Sequence, residues 1–333
     1  MKKIKIAQIG VNRYSHGHSV FKTMKMFPEL FEIVGYTWVE DEEKTCPNQL
    51  KYFDGYKRLT LEEILNDESI EAVAVETDEI HLLKYAQLAA DKKKHIHMEK
   101  PGSQDLEAFE KLIDTVKKNN TVLHLGYMYR YNPVISQVIE NAKNGLYGEL
   151  HSVEAHMSRL DDNACREWFG SFKGGMMFYL GCHLIDLVLQ LMGKPLKIHP
   201  FNCSTRKNGI CTEDFGFCVF EYKNGISFVK MTGSEIGGFE RRQLVVTGSE
   251  GSVEIKPLEE LISNTSLQTT SSVSYYLDGS GKTQSRSLKT EPFHRYRAMM
   301  ESFASIVRGE KENPYTPDYE LELFKTLIIA CGM

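Results

Sequence analysis

The first 125 residues alternate between short apolar runs and amphipathic ones, and this alternation limits the folds open to the chain. KIKIAQIG has the length and composition of a strand and ends at Gly10. HSVFKTMKMF follows it, with Val20, Met24 and Phe27 about one helical turn apart. Strand patterns recur at FEIVGYTWV, IEAVAVET, HIHMEK and TVLHLGYM, with helical patterns at 61–65, 81–90 and 106–118 between them. Thr60 and Glu63 have capping-box spacing ahead of the helix at 61–65. Repeated strand–helix–strand order predicts a parallel sheet covered by helices. Ligands of such sheets bind beyond the carboxyl ends of the strands.

After about Gly126 the pattern changes. A helix is expected around 134–143, then a long strand in GELHSVEAHMSR and an apolar helix in HLIDLVLQLMG. FGFCVFEYKNGISFVKMTG reads as a hairpin turning at Asn224-Gly225, and RRQLVVTGSEGSVEI as a second pair turning at 248–251. Residues 263–291 are rich in Ser and Thr and are expected to be mobile or to form edge strands. Two helical patterns close the chain near 293–308 and 317–331. A length of 333 residues suits about two domains. The expectation is an α/β domain over 1–125, then an α+β domain over 126–333 with a large, mostly antiparallel sheet.

Gly10 stands where the dinucleotide fingerprint GxGxxG begins, between a strand and a helix. The loop reads Gly10-Val11-Asn12-Arg13-Tyr14-Ser15, with Asn12 at the second glycine position and Ser15 at the third. Asn tolerates left-handed backbone better than most residues and Ser is small, so the turn keeps its shape. On this motif alone an ordinary β–α turn is an equal alternative. The second strand of a dinucleotide fold usually ends in an acid that holds the adenosine ribose. Here that place is Trp38, with Glu40 and Asp41 just beyond. Trp38 either stacks on adenine or packs in the core, and Glu40 either reaches the ribose or is solvated. NAD and NADP both stay open.

Composition narrows the partners. Lys+Arg 40 against Asp+Glu 45 gives a net charge of -5, which argues against a nucleic-acid scaffold. No apolar run approaches the roughly 20 residues of a membrane helix. The apolar stretch in MKKIKIAQIG is too short for a signal peptide and is interrupted by Lys5 and Gln8. Seven scattered cysteines without a CxxC pair read as free thiols of a cytoplasmic protein. The histidine pairs His16/His18 and His95/His97 lack a supporting ligand cluster, so no metal site is expected.

The segment from KKKHIHMEKPGSQDL to GYMYRYNP carries a more specific signature. Glu99-Lys100-Pro101, then Gly126, Tyr127, Arg130, Tyr131 and Pro133, resemble the glucose–fructose oxidoreductase and inositol dehydrogenase family, Gfo/Idh/MocA. VETDEIH resembles that family's Ala-Thr-Pro-Asn-x-x-His stretch, keeping Thr77 and His81 but carrying Asp78 and Glu79. Gly181, His183 and Asp186 match its Asp-x-Gly-x-His-x-x-Asp pattern, with Tyr179 in place of the first Asp. VTGSEGSVEI resembles its late hairpin, so the likeness runs through nearly the whole chain.

The resemblance implies a Rossmann domain, NAD or NADP as cofactor, and hydride transfer between nicotinamide and a sugar, inositol or related polyol. Gly10, Val11, Asn12, Arg13, Trp38, Thr77, Asp78, His81, Glu99 and Lys100 are the implied cofactor contacts. Lys100 is the implied acid/base, ahead of an expected cis peptide bond to Pro101, and His183 the implied proton relay. Arg130, Trp168, Tyr179 and Asp186 are candidate substrate contacts. Arg159, Asp161, Asp162 and Arg166 either meet polar substrate groups or are surface charges. A homodimer or homotetramer is expected, with no nucleic acid and no membrane. Because Asn12, Trp38, Glu79 and Tyr179 depart from the pattern together, two other readings stand beside this one. One is a non-catalytic nucleotide- or sugar-binding regulator, and the other a redox-assisted glycosidase.

Overall fold

The computed structural model describes residues 2–14, 16–263, 265–277 and 282–333. Ser15, the third small residue expected in the Gly10 loop, lies outside the described residues. The chain divides into two compact units, 1–127 with 296–321, and 128–295 with 322–333.

The first unit is the parallel sheet expected from the alternating pattern. Its strands are β1 (Ile4–Ile9), β2 (Phe31–Thr37), β3 (Ala72–Val75), β4 (His95–Met98) and β5 (Leu123–Leu125), in the spatial order β2-β1-β3-β4-β5, all parallel. Every residue of Ala-Val-Ala-Val in β3 is buried, as a strand covered on both faces requires. The helices are α1 (Gly17–Lys25), α2 (Glu42–Thr45), α3 (Leu61–Asn66), α4 (Leu82–Asp91) and α5 (Leu106–Asn119). The capping box of α3 is present: Glu63 N–H donates to Thr60, and Thr60 N–H donates to the Glu63 carboxylate. Asp105 caps the start of α5, and Asn120 ends it in the left-handed region at φ 51°. Strand order reverses between β1 and β3, so the residues just beyond them, Gly10 and Glu76, border the crevice where such sheets take ligands.

The second unit begins with α6 (Pro133–Lys143), which has proline at its first position and Asn132 as its cap. The further elements up to the apolar helix are β6 (Leu150–His156), α7 (Asn163–Trp168) and α8 (Cys182–Met192). Three hairpin-forming pairs dominate the rest. The strands are β7 (Lys197–Cys203), β8 (Phe215–Tyr222), β9 (Gly225–Thr232), β10 (Gln243–Gly248) and β11 (Gly251–Ile255). They continue with β12 (Glu260–Leu261), β13 (Ser266–Gln268), β14 (Thr270–Leu277), β15 (Lys282–Lys289) and β16 (Phe293–His294). Eight of them form one sheet in the order β15-β14-β11-β10-β6-β9-β8-β7, antiparallel except for the β6–β9 pair. The expected hairpin is present, but its turn falls one residue earlier, at Lys223-Asn224, with Tyr222 paired to Gly225. The Ser/Thr-rich stretch supplies β14 and the outermost strand β15, so it forms an edge of the sheet. α8 is buried from Cys182 through Leu189, which explains its largely apolar sequence.

The last segment departs from a simple two-part division of the chain. Residues 296–321, which include α9 (Arg297–Val307), cluster with the first unit. The unit boundary then falls within α10 (Pro317–Ala330). Phe303 of α9 packs on His97 and His124, and Asn313 donates to the Leu123 carbonyl of β5. A parallel sheet needs cover on both faces, and the terminal helix supplies part of it.

Candidate active site

In the first unit the candidate cofactor residues converge on the carboxyl ends of β1, β3 and β4. Gly10 has φ +81°, and a Cβ there would meet Thr77 at 2.7 Å and Glu42 at 2.8 Å, so only glycine fits. The next residue, Val11, donates its N–H to the Glu42 carboxylate at 3.0 Å, and Val39 N–H donates to the same carboxylate at 2.9 Å. Asn12 is buried. Its amide donates to Glu79, and its oxygen accepts from Tyr14 N–H at 2.7 Å. Thr77, Glu79, Glu99 and Lys100 are buried as well. Lys100 Nζ lies 3.4 Å from Glu99 Oε1, and the Lys100–Pro101 peptide is cis, as the resemblance implies. Gly126 is required beside this pair, since a Cβ there would lie 2.7 Å from Glu99 Oε2.

Other candidates have different surroundings. Trp38 packs on Tyr36 and edge-on to Phe53, at 4.7 and 4.6 Å between ring centroids. Glu40 accepts from Lys84 and the Tyr85 hydroxyl, each at 2.7 Å, on the surface. His81 precedes α4 without capping it, 3.9 Å from Glu40. Arg13 is exposed over the Tyr14 ring.

Burial dominates the electrostatics here. It pushes Glu79 up to about 8 and Glu42 up to about 7. Glu76 is raised well above the ordinary carboxylate value by burial, with Glu99 and Glu79 adding to it. Burial also lowers His97 to about 3. His97 Nδ1 is 2.8 Å from His124 Nδ1, and its Nε2 is 3.4 Å from Glu76 Oε1. One imidazole of that pair must donate and the other accept.

The first unit fits a dinucleotide on its own features. The Gly10 turn leaves no room for a side chain, the Val11 N–H already faces an anion, and Glu79 Oε1 has no hydrogen-bond partner among the described residues. A buried acceptor of that kind suits the hydroxyl and amide donors that a dinucleotide carries.

In the second unit Tyr179 and His183 occupy one stretch, a π-helical turn at Met177–Gly181 running into α8. Such turns re-aim side chains and recur at functional sites. Tyr179 packs edge-on against Trp168 at 5.1 Å, with Arg159 5.2 Å above its ring. His183 meets the Tyr129 ring edge-on at 5.2 Å. Tyr129 donates to Glu259 at 2.6 Å, and Arg242 donates to the same carboxylate at 2.8 Å. Sequence reading missed this support, because its members lie up to 130 residues apart.

Arg130 and Asp186, candidates for substrate, hold each other. The guanidinium forms a fork with the carboxylate at 2.8–3.2 Å, both are buried, and Gln190 adds a further donor. Arg166 is likewise neither a substrate contact nor a surface charge but a buried partner of Asp214 at 2.8 Å. Asp162 caps α7, and Arg159 pairs with Asp161 at 2.7 Å.

Comparison with known proteins agrees with both units. Residues 4–127 match the oxidoreductase family with NAD-binding Rossmann fold, and residues 135–254 match the GFO/IDH/MocA C-terminal domain. The chain belongs to the GFO/IDH/MocA oxidoreductase family. Its cofactor is NAD or NADP. It is 25% identical over 248 residues to a D-xylose 1-dehydrogenase (NADP+) of Haloferax volcanii, covering 74% of this chain and 72% of that one. A myo-inositol 2-dehydrogenase of Thermotoga maritima is 23% identical over 194 residues, covering 58% and 56%. Levoglucosan dehydrogenase, solved with NADH and levoglucosan, shares the fold at TM-score 0.78 and 19% identity, covering 99% of this chain and 98% of that one. No helix among the described residues is long and apolar enough to cross a membrane.

Two predictions follow from the buried charges. Arg130→Met removes the counter-charge of the buried Asp186 carboxylate, and should cost about 3–5 kcal/mol in urea unfolding. The double variant with Asp186→Leu should recover part of that loss. For Glu79, the folded value of about 8 stands above the ~4.3 of an unfolded chain. The folded state therefore keeps a proton that the unfolded state releases, and stability falls as pH rises from about 5 to 8. Thermal unfolding should show that fall in the wild type and a smaller one in Glu79→Gln.

Proposed function

We propose that the chain oxidises a secondary hydroxyl of a sugar, inositol or related polyol, with NAD(P)+ as hydride acceptor. The observation that carries this reading is Lys100, buried at the carboxyl end of a central strand with its Nζ 3.4 Å from Glu99 Oε1. Removing hydride from carbon requires the attached hydroxyl to lose its proton to a base within hydrogen-bond reach. Lys100 Nζ takes that proton in its neutral form, and the Glu99 carboxylate balances the ammonium that results. A bound nicotinamide supplies the hydride acceptor. His183, set edge-on to the Tyr129 ring within the second unit, is the candidate for proton relay. Tyr179 and Trp168 offer aromatic faces and a phenol to a sugar, in place of the acid found in the resembled pattern. The names of the relatives, which act on xylose and on inositols, support the substrate class.

We also assign the enzyme to the cytoplasm as a homodimer or homotetramer. Support for self-association comes from the β7–β9 region of the large sheet, where Phe201 and Ile226 are more than half exposed and Phe201, Phe217 and Phe228 form a ring ladder.

A panel of sugars and polyols with NAD+ and NADP+ should yield net reduced nicotinamide for at least one member. Lys100→Ala should then lower kcat by about a hundredfold or more, with cofactor affinity by calorimetry changed less than about threefold. Turnover that survives in Lys100→Ala removes the residue from the acid/base role. Absence of binding by either cofactor form rejects the dehydrogenase reading itself.

A further inference from the structure

The end of β2 lacks the acid that normally receives the adenosine ribose. Trp38 stands at that place and its ring is committed to Tyr36 and Phe53. Glu40, next in sequence, has a left-handed backbone at φ 51° and is held outward by Lys84 and Tyr85. Yet a carboxylate does reach the gap between the ends of β1 and β2, from a different position. Glu42, the first residue of α2, is buried and turns back so that one oxygen accepts from Val11 N–H and the other from Val39 N–H. Its Oε1 also lies 2.8 Å from where a Gly10 Cβ would be, which fixes it against the fingerprint turn.

We propose that Glu42 is the ribose-selecting acid of this chain, and that it makes the enzyme prefer NAD(H) to NADP(H). Each carboxylate oxygen has a second lone pair beyond the one used by a backbone N–H. Those lone pairs accept from the two hydroxyls of an unmodified adenosine ribose. A 2′-phosphate offers no donor there and places a dianion beside a carboxylate, which repels it in a buried setting. No arginine takes the place of the acid: among the described residues, Arg13 lies over Tyr14 and Arg58 pairs with Glu43 at 2.6 Å. The proposal rests on cofactor binding by this unit, and extends it by naming the form bound.

The proposal also carries a pH signature. Burial raises Glu42 to about 7, while Val39 and Val11 N–H and the Thr77 side chain act the other way, and Asp78 adds to the rise. Cys46, on the residue that follows α2, faces the same carboxylate and is itself raised, by burial first. Glu42 is thus half ionised near neutrality, and its repulsion of a 2′-phosphate grows above that pH.

Calorimetric titration of the whole protein with NAD+ and with NADP+, at pH 6 and pH 8, tests this without any substrate. At pH 8 the wild type should bind NAD+ at least tenfold more tightly, and the preference should shrink several-fold at pH 6. Glu42→Gln keeps an acceptor for one backbone N–H but carries no charge. It should bind the two forms within about threefold of each other at both pH values, mainly through stronger NADP+ binding. If Glu42→Gln proves unstable by thermal unfolding, the wild-type pH dependence stands as the deciding measurement. Equal or tighter NADP+ binding by the wild type overturns the proposal, as does an undiminished NAD+ preference in Glu42→Gln. A Glu42→Gln protein that gains affinity equally for both forms overturns it too, since that would mark Glu42 as a plug. Failure of the wild type to bind either form is a different result, which rejects cofactor binding rather than its selectivity.

Discussion

Three buried carboxyl groups and one ammonium at the ends of β3 and β4 constrain the rest of the first unit. Glu76, Glu79 and Glu99 surround the region of Lys100, and all four are almost wholly removed from water. Holding every carboxyl ionised would leave a net charge of about two units in a low-dielectric interior, which costs far more than a domain's stability. Burial shifts each carboxyl upward, and Lys100 opposes that rise at Glu99, so the charge is not held on all three at once. The surrounding backbone answers to the same constraint. Gly17 at the start of α1 comes so close to Glu76 that a Cβ would lie 2.9 Å from its Cβ, and Gly126 makes way for Glu99. The His97–His124 pair extends the same logic: both rings lie against Phe303, and burial holds His97 well below the ordinary imidazole value.

Much of the fold was legible because it depends on local chemistry. The Thr60/Glu63 box, the β8–β9 hairpin and the apolar β3 each report their structure from a few adjacent residues. The strand-end position of Lys100 was also readable, since periodicity locates strand ends and Pro101 excludes a helix there. The site's supporting residues were not readable in this way. The Glu42–Val11 contact spans 31 residues, and Tyr129–Glu259 spans 130. His97 was legible as a neighbour of His95 at i, i+2. Its real partner is His124, which parallel register places directly across from it. A polar residue inside an otherwise apolar strand was the available signal, for Glu76 after Ala-Val-Ala-Val and for His97 between Ile96 and Met98.

The second unit treats charge differently. Its buried guanidiniums each meet a carboxylate: Arg130 meets Asp186, Arg166 meets Asp214, and Arg242 and Arg295 share Glu259. Forked guanidinium–carboxylate pairs fix orientation as well as charge. They therefore act as rigid braces for whatever projects from them. Arg130 and Asp186 tie the segment before α6 to α8, and Glu259 holds the Tyr129 hydroxyl, which sets the ring against His183. The candidate substrate residues thus divide by physics: Arg130 and Asp186 form a forked pair that builds the frame, and the aromatic and imidazole groups are carried by that frame.

Tyr179 shows how such a frame absorbs a change of chemistry. A carboxylate at this point, as in the resembled pattern, would have Arg159 as its natural counter-charge. With tyrosine in place, Arg159 keeps a carboxylate partner in Asp161, two residues along its own strand exit, and lays its guanidinium over the phenol ring. The ring in turn fills the space beside Trp168 and Phe169. Charge balance is therefore met locally, and the position is free to present a neutral, hydrogen-bonding aromatic surface. A sugar ring presents apolar C–H faces and outward hydroxyls, which such a surface meets by stacking and by a phenolic donor. An ionised acceptor would instead favour hydroxyl donors alone. The exchange at Tyr179 thus replaces the acid of the resembled pattern with an aromatic phenol, while Arg159 and Asp161 balance each other beside it.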